Sequence, residues 1–278
     1  MLSTLATYLT YPFVLHAIVV GVLVSLCSSL LGTTLVMKRL SFIGDGLSHV
    51  AFGAYAVAAV MTLTNSMFVT VPVTVAVAIL ILSRPQSSAI KGDAAMTMLS
   101  VGALAFGYLI MNVFSTSSNV SGDVCSSLFG STSLLTLTSR EVALCIVLSI
   151  VVVALFVALY NRIFSVTFDE AFAKATGVAT SRSNLVIAVM ISLVVVLGMN
   201  LVGALLLSAL VVFPSIAAMR VSATFKGVTV LSAIISVACA LVGMFVSIVC
   251  STPVGATIVV FDVLAFLVAS LAGRSGGA

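Results

Sequence analysis

Nine apolar runs, most of them close to 20 residues long, follow one another along this chain of 278 residues. A helix needs about 20 apolar residues to cross the hydrocarbon layer of a membrane, and no run shows the alternation of a transmembrane β-strand. Because backbone groups in lipid must be hydrogen-bonded internally, runs of this kind fold as helices. The runs lie at about residues 12–37, 42–62, 66–83, 94–114, 140–160, 183–200, 201–219, 228–250 and 256–272.

Composition excludes a soluble domain. Hydrophobic residues make up 62% of the chain and charged residues only 6%, whereas about 25% of a soluble domain is charged. We therefore expect an all-α, polytopic membrane protein of eight or nine transmembrane helices, eight if one run is re-entrant. The whole chain, 1–278, is predicted to be a single transmembrane domain. The first run has no basic region before it and no small-residue cleavage site after it, so we expect a retained span.

The basic residues predict the orientation of the chain. With nine spans and the N-terminus outside, ten of the eleven Lys and Arg residues fall in cytoplasmic segments, and only Arg140 lies outside. Because positive residues concentrate on the cytoplasmic side, we expect the N-terminus outside and the C-terminus in the cytoplasm. The net charge of +4 then reflects these loops, and we expect lipid around the protein and no nucleic-acid partner.

Two loops are long enough to form structures of their own. The predicted outer loop, 115–139, is too polar to face lipid but contains an apolar patch at Leu128 and Phe129. We expect it to form a short helix in an outer vestibule. The predicted inner loop, 161–182, contains a second candidate helix.

The inner loop has the pattern of a short amphipathic helix over about residues 165–177. Its apolar positions recur at helical spacing, acidic residues stand in its first turn, and a glycine stands where it would end. These residues are Phe168, Ala171, Phe172 and Ala175, then Asp169 and Glu170, and then Gly177. Such a helix either lies on lipid or binds a soluble partner, and its acidic first turn is unfavourable beside an anionic leaflet.

The stretch KRLSFIGDGLSH, residues 38–49, is the most polar part of an otherwise apolar region. Asp45 and His49 are four residues apart and therefore lie on one face of a helix. An ionisable pair within a membrane span indicates function by default, as two metal ligands or as a pair that shares a proton. The structural alternative is that Asp45 caps a helix and His49 hydrogen-bonds a neighbour.

Sequence motifs for enzymes are missing from the chain. It contains no GxxxxGK[ST], HExxH or GxSxG pattern, so we expect no ATP binding by a Walker motif, no enzyme activity and no permanently bound cofactor. The residues alone leave two further alternatives open. One is an intramembrane enzyme that uses Asp45 and His49 as acid and base, and the other is a carrier driven by protons.

Stretches in four parts of the chain together resemble the permease subunits of bacterial ABC importers for zinc, manganese and iron. In order they are KRLSFIGDGLSHV (38–50), GDVCSSLFGS (122–131), FDEAFAKATG (168–177), and LVGALLLSALVVFP (201–214) with STPVGATIVV (251–260). Each stretch is weak alone, but the set follows the family's order and spacing over about four fifths of the chain.

The resemblance implies a homodimer in the bacterial inner membrane, a cytoplasmic ATP-binding subunit that hydrolyses the ATP, and an extracytoplasmic protein that delivers the metal ion. It implies that Asp45 and His49 are ligands of the transported divalent ion. It also implies that residues 168–177 form the helix that contacts the ATPase, through Phe168, Asp169, Glu170, Phe172 and Gly177. Importers of siderophores, haem or cobalamin have a similar architecture, but an Asp/His pair suits a bare ion better than a bulky chelate.

The chain departs from the family's pattern at three positions. Ser251 stands where an acid often precedes the Thr-Pro turn, and Ser131 stands where Asp or Asn often follows Phe-Gly. Asp262 lies in the last predicted span, where an apolar residue is usual. It is either a protonated or interhelix-bonded acid or part of a second cation site. His16, near the outer end of the first span, is interpreted as an interfacial residue and not as a ligand.

Overall fold

The computed structural model describes residues 11–61, 67–82, 92–114 and 139–275, and all regular structure in these ranges is helical. The predicted all-α fold is therefore confirmed. The helices are α1 (Pro12–Met37), α2 (Ile43–Val60), α3 (Met67–Leu82), α4 (Gly92–Phe114), α5 (Ser139–Ala158), α6 (Tyr160–Phe168), α7 (Glu170–Ala175), α8 (Thr180–Val202), α9 (Ala204–Val221), α10 (Phe225–Cys250) and α11 (Val254–Ser275). The predicted vestibule segment lies outside the described residues, apart from Ser139.

Eight helices in the described ranges are long and apolar enough to cross a membrane. All nine predicted apolar runs correspond to helices, with ends that agree to within a few residues. The ninth, α3, contains Pro72 and has 16 residues within the described range 67–82, fewer than the roughly 20 residues of a membrane span. Its buried Thr70 and Thr74 lie on the side that packs into the bundle, against α2 and α8.

Small residues bring the long helices into close contact. A methyl group at Gly32 of α1 would overlap the Val211 carbonyl of α9. Side-chain hydroxyls of α10 bond to the backbone of α1, where Ser236 donates to the Ser25 carbonyl at 3.0 Å and Ser232 to the Ser29 carbonyl at 3.4 Å. Because lipid gives helices no hydrophobic reason to associate, close packing and interhelical hydrogen bonds hold α1, α9 and α10 together.

A single residue separates α8 from α9. Gly203 has φ 97° and ψ 152°, a backbone conformation open to glycine and unfavourable for residues with a Cβ. Its amide donates to the carbonyl oxygens of Gly198 and Met199, which ends α8, and α9 begins at the next residue. The predicted runs 183–200 and 201–219, which have no loop between them, are therefore confirmed as two helices.

The predicted single helix over about 165–177 is wrong in its extent, because Asp169 interrupts it. Asp169 has an extended backbone, with φ −150° and ψ 102°, and its carboxylate accepts from the Phe172 amide at 2.9 Å. It is thus the N-cap of α7, a position that aspartate strongly favours. Gly177, with φ 84°, follows the end of α7 as predicted. Phe168 and Phe172 consequently lie on different helices and not on one helix face.

Segments distant in sequence meet at one end of the bundle, which we call the basic end. It consists of the turn 38–42, residues 160–184 and residues 220–226. Contacts between side chains join the segments: Lys38 bonds to Asn184 at 2.7 Å, and the rings of Phe164 and Phe225 are 5.2 Å apart. The cations of the basic end are Lys38, Arg39, Arg162, Lys174, Arg182, Arg220 and Lys226. Arg140 lies in the first turn of α5, 20 residues before Tyr160 and therefore about 30 Å from that end.

Candidate functional site

Asp45 and His49 lie together near the start of α2. Asp45 is in the first turn, and His49 Nε2 lies 3.6 Å from Asp45 Oδ1. The residue before α2, Phe42, makes no side-chain capping bond, and the Asp45 carboxylate contacts His49 and Ser208. The two side chains are thus one helical turn apart, as expected. Neither contact of the Asp45 carboxylate is a capping bond to a backbone amide of the first turn.

Ser208 of α9 is a neighbour of Asp45 that the sequence did not predict. Its Oγ donates to Asp45 Oδ1 at 3.2 Å, and the same hydroxyl lies 2.9 Å from the Ala204 carbonyl oxygen. A hydroxyl has one proton, so Ser208 serves one acceptor at a time. The two residues are 163 positions apart, and the sequence marks Ser208 only as a small polar residue in an apolar run.

The side chains of the pair are available to a ligand. The side chain of Asp45 is 44% exposed and that of His49 is 16% exposed, although both sit in a helix long and apolar enough to span a membrane. The 3.6 Å separation exceeds hydrogen-bond length, and His49 Nδ1 is buried without a partner. A carboxylate and a loosely held imidazole suit a divalent transition metal ion.

One chain does not supply a complete metal site within the described ranges. No group of three or more His, Cys, Asp and Glu side chains gathers there in a way that could hold an ion. A closed tetrahedral site needs four ligands, and Asp45 and His49 supply two. The partly exposed Asp45 carboxylate lies at the surface of the described structure.

A second candidate surface lies at the basic end. Phe168 ends α6 and is 65% exposed, and Phe172 in α7 is 66% exposed. The ring of Phe168 also contacts Phe164, with centroids 5.3 Å apart. Aromatic rings exposed beside acidic Asp169 and Glu170 are typical of a surface that binds another protein.

Asp262 lies away from both surfaces, inside the packing of α9, α10 and α11. It is 1% exposed. The thiol of Cys239 in α10 faces its carboxyl group, so the interpretation of Asp262 as a protonated or interhelix-bonded acid stays a prediction. No cluster of three metal-binding side chains surrounds Asp262 among the described residues.

Relatives of similar length are named for the transport of different metals. A Haemophilus influenzae protein named for iron transport is 27% identical to the chain, and the match covers 98% of the chain and 94% of that protein. The manganese transport system membrane protein MntC of Listeria monocytogenes is 25% identical, over 94% and 91%. The high-affinity zinc uptake system membrane protein ZnuB of Buchnera aphidicola is 23% identical, over 90% and 94%.

A solved structure shares the fold. PsaBC from Streptococcus pneumoniae, in complex with a Fab, superposes with a TM-score of 0.83 at 22% identity, over 97% of this chain and 95% of the matched one. The sequence profile of the ABC 3 transport family matches residues 10–273. With nearly its whole length matched and its helices arranged as in PsaBC, the chain belongs to the ABC 3 transport family.

Proposed function

We propose that the chain is the membrane-spanning permease of an ABC importer that moves a divalent metal ion, zinc, manganese or iron, into the cytoplasm. The observation that carries the proposal is the Asp45/His49 pair, two metal-binding side chains 3.6 Å apart on one turn of α2. The relatives named for iron, manganese and zinc support the class of substrate. They also leave the ion open, because carboxylate and imidazole ligands accept all three.

The ion binds between two copies of the chain. A two-fold dimer doubles every ligand, so Asp45 and His49 of each copy, brought to the axis, make an Asp₂His₂ set. The half-exposed carboxylate and the two-ligand supply of one chain support such a shared site. Weak occupancy suits a site that binds an ion in passage and releases it, in contrast to a structural zinc site.

Energy comes from a separate subunit. The chain has no Walker motif, while α7 and the end of α6 present Phe168 and Phe172 at the basic end. Positive residues favour the cytoplasmic side, so the basic end faces the cytoplasm and its aromatic pair docks in the ATP-binding subunit. An extracytoplasmic binding protein delivers the ion to the opposite end.

Metal uptake by cells tests the proposed function. In a strain that lacks the chromosomal copy, the wild-type chain with its ATP-binding subunit should restore uptake of one of the three metals at growth-limiting concentration. Asp45→Ala and His49→Ala should each abolish that uptake while the chain still reaches the membrane. His16→Ala is the matched control, because it removes an imidazole of α1 that we do not interpret as a metal ligand. Near-normal uptake by either site variant would refute the assignment.

A further inference from the structure

Three polar side chains form a continuous bridge at the basic end. Lys38 Nζ donates to Asn184 Oδ1 at 2.7 Å, and Asn184 Nδ2 donates to Glu170 Oε1 at 2.8 Å. The bridge connects three elements, since Lys38 caps the C-terminus of α1, Asn184 lies near the start of α8, and Glu170 is the first residue of α7.

The centre of the bridge is buried. Asn184 is 5% exposed, and its amide uses one acceptor for an ammonium and one donor for a carboxylate. Burial lowers the pKa of Lys38, and the charge of Glu170 acts in the opposite direction. Hydrogen bonds to charged partners are stronger than neutral ones, and a buried amide that loses a partner is left unsatisfied. Breaking either hydrogen bond of the bridge is therefore energetically unfavourable.

A short turn with backbone hydrogen bonds joins Lys38 to α2. Arg39 adopts the left-handed conformation, with φ 59°, and the amides of Arg39 and Leu40 bond to the carbonyls of Val36 and Leu35 at 3.0 and 2.9 Å. These bonds form a Schellman motif that fixes the direction in which the chain leaves α1. Ile43 then bonds back to Leu40 at 3.0 Å, and α2 begins. Asp45 follows Lys38 by seven residues, so a shift of Lys38 moves the start of the helix that holds the metal ligands.

The other end of the bridge is attached to the aromatic surface. Glu170 follows Asp169, the N-cap of α7, and Phe172 lies two positions further on. At the end of α7, Val178 bonds to the Ala173 carbonyl at 2.9 Å and the chain enters α8 at Thr180. Short, hydrogen-bonded segments thus connect Phe168 and Phe172 to Glu170 and Asn184.

We propose that the Lys38–Asn184–Glu170 bridge transmits movement between the aromatic surface of α6 and α7 and the metal ligands on α2. The proposal rests on the proposed function. The three residues are positioning residues, because none of them contacts Asp45 or His49 in the described structure. Since coupling between two sites is reciprocal for binding, the bridge also lets the state of the metal site alter affinity at the ATPase contact, and such couplings typically amount to about 5–150-fold.

The test measures metal uptake and ATP hydrolysis together, in proteoliposomes that contain the complete complex. Asn184→Leu replaces the amide with an apolar side chain of similar size and removes both bonds. We expect it to keep the ATP-binding subunit and to hydrolyse ATP, while the number of ions taken up per ATP falls at least about fivefold. Arg182→Met removes an exposed cation from the same turn of α8, and it should leave the ratio unchanged.

Glu170 gives a second pair of variants at an exposed position, where substitution does not disturb the core. Glu170→Gln keeps an oxygen that accepts from Asn184 and should retain most of the coupling. Glu170→Leu has no such acceptor and should lose coupling as Asn184→Leu does. A loss of coupling in Glu170→Leu that Glu170→Gln restores would support the bridge even if Asn184→Leu fails to fold.

Two results would overturn the bridge. One is a wild-type ratio of uptake to hydrolysis in Glu170→Leu and in any Asn184→Leu complex that assembles. The other is loss of the ATP-binding subunit from the Glu170→Leu complex, which would make the bridge part of the assembly contact only. Failure of the proposed function gives a different result from failure of the bridge, because the wild-type complex itself would then take up none of the three metals.

Discussion

Asp45 and His49, the proposed metal ligands, make few side-chain contacts, so each neighbour that they have can affect them. Ser208 is the one side chain from another helix that bonds to the Asp45 carboxylate among the described contacts. Groups that orient metal ligands typically change metal affinity about 10–100-fold when they are removed. In the proposed site, Ser208 therefore acts on the ion through Asp45.

Ser208→Ala should raise the metal concentration for half-maximal uptake by about tenfold or more and change the maximal rate much less. The reason is that Asp45 loses a donor that fixes its carboxylate, while both metal ligands remain. Ser192→Ala is the matched control, because that buried hydroxyl of α8 lies 2.7 Å from the Ala188 carbonyl of its own helix and 3.4 Å from the Thr74 carbonyl of α3, and neither bond involves Asp45. An unchanged half-saturating concentration in Ser208→Ala would mean that the hydroxyl serves only the Ala204 carbonyl.

Asp45 and His49 should also behave as a unit. If both bind the same ion, the double variant Asp45→Ala/His49→Ala should take up no less metal than either single variant. Additive losses, with residual uptake in each single variant, would instead indicate two independent roles. Radioactive metal uptake over a range of concentrations measures the three variants directly.

At the scale of the helices, the packing depends on backbone contacts that only glycine allows. Gly32→Ala should destabilise the folded chain by about 1–3 kcal/mol, since its methyl group meets the Val211 carbonyl, which belongs to a helix backbone and cannot turn away. Gly102→Ala is the control, because nothing lies within 4 Å of its added methyl group. Thermal unfolding in detergent, followed for both variants, should show the loss only in Gly32→Ala.

The exposed aromatic pair is the proposed contact with the ATP-binding subunit. Phe168→Ala/Phe172→Ala should reduce the amount of ATP-binding subunit recovered with the chain by about tenfold or more, as loss of aromatic anchors does at other interfaces. Phe106→Ala in α4 removes an equally exposed ring, 59% accessible, and should have no such effect. Full recovery of the subunit with normal transport would show that the ATPase binds elsewhere.

The sequence predicted the helices better than their interruptions. Nine apolar runs were enough to find the long helices, because length and hydropathy decide whether a segment spans lipid. Asp169 was missed as a break because the apolar spacing from Phe168 to Ala175 continues across it, while a capping bond depends on a local backbone turn. Gly177 was found, since a glycine after a helical pattern directly indicates its end.

In the candidate site, contacts within one helix were predictable from the sequence and contacts between helices were not. Asp45 and His49 are four residues apart, so their proximity follows from the helix alone. Ser208 and Asn184 come close to residues more than 140 positions away, and such contacts depend on how the helices pack. Nothing in the local sequence distinguishes these two polar residues from others in the apolar runs.

For the molecule as a whole, the proposed function requires the basic end to face the cytoplasm, where the ATP-binding subunit lies. Thr252→Cys, in the exposed turn between α10 and α11, should react from outside with a membrane-impermeant thiol reagent, in a chain whose own cysteines are replaced. Ser181→Cys, exposed at the start of α8, should react only after the membrane is opened. The reverse pattern would invert the topology and remove the cytoplasmic assignment of α7.

In the proposed site, two copies of the chain hold one metal ion with Asp45 and His49 of each. The most direct measurement is the metal content of the purified complete complex at saturating metal concentration, with the ligands identified by X-ray absorption. We predict one ion for every two chains, bound by two oxygen and two nitrogen ligands from the protein, and loss of that ion in both Asp45→Ala and His49→Ala. One ion per single chain, or wild-type metal content in either variant, would contradict the claim.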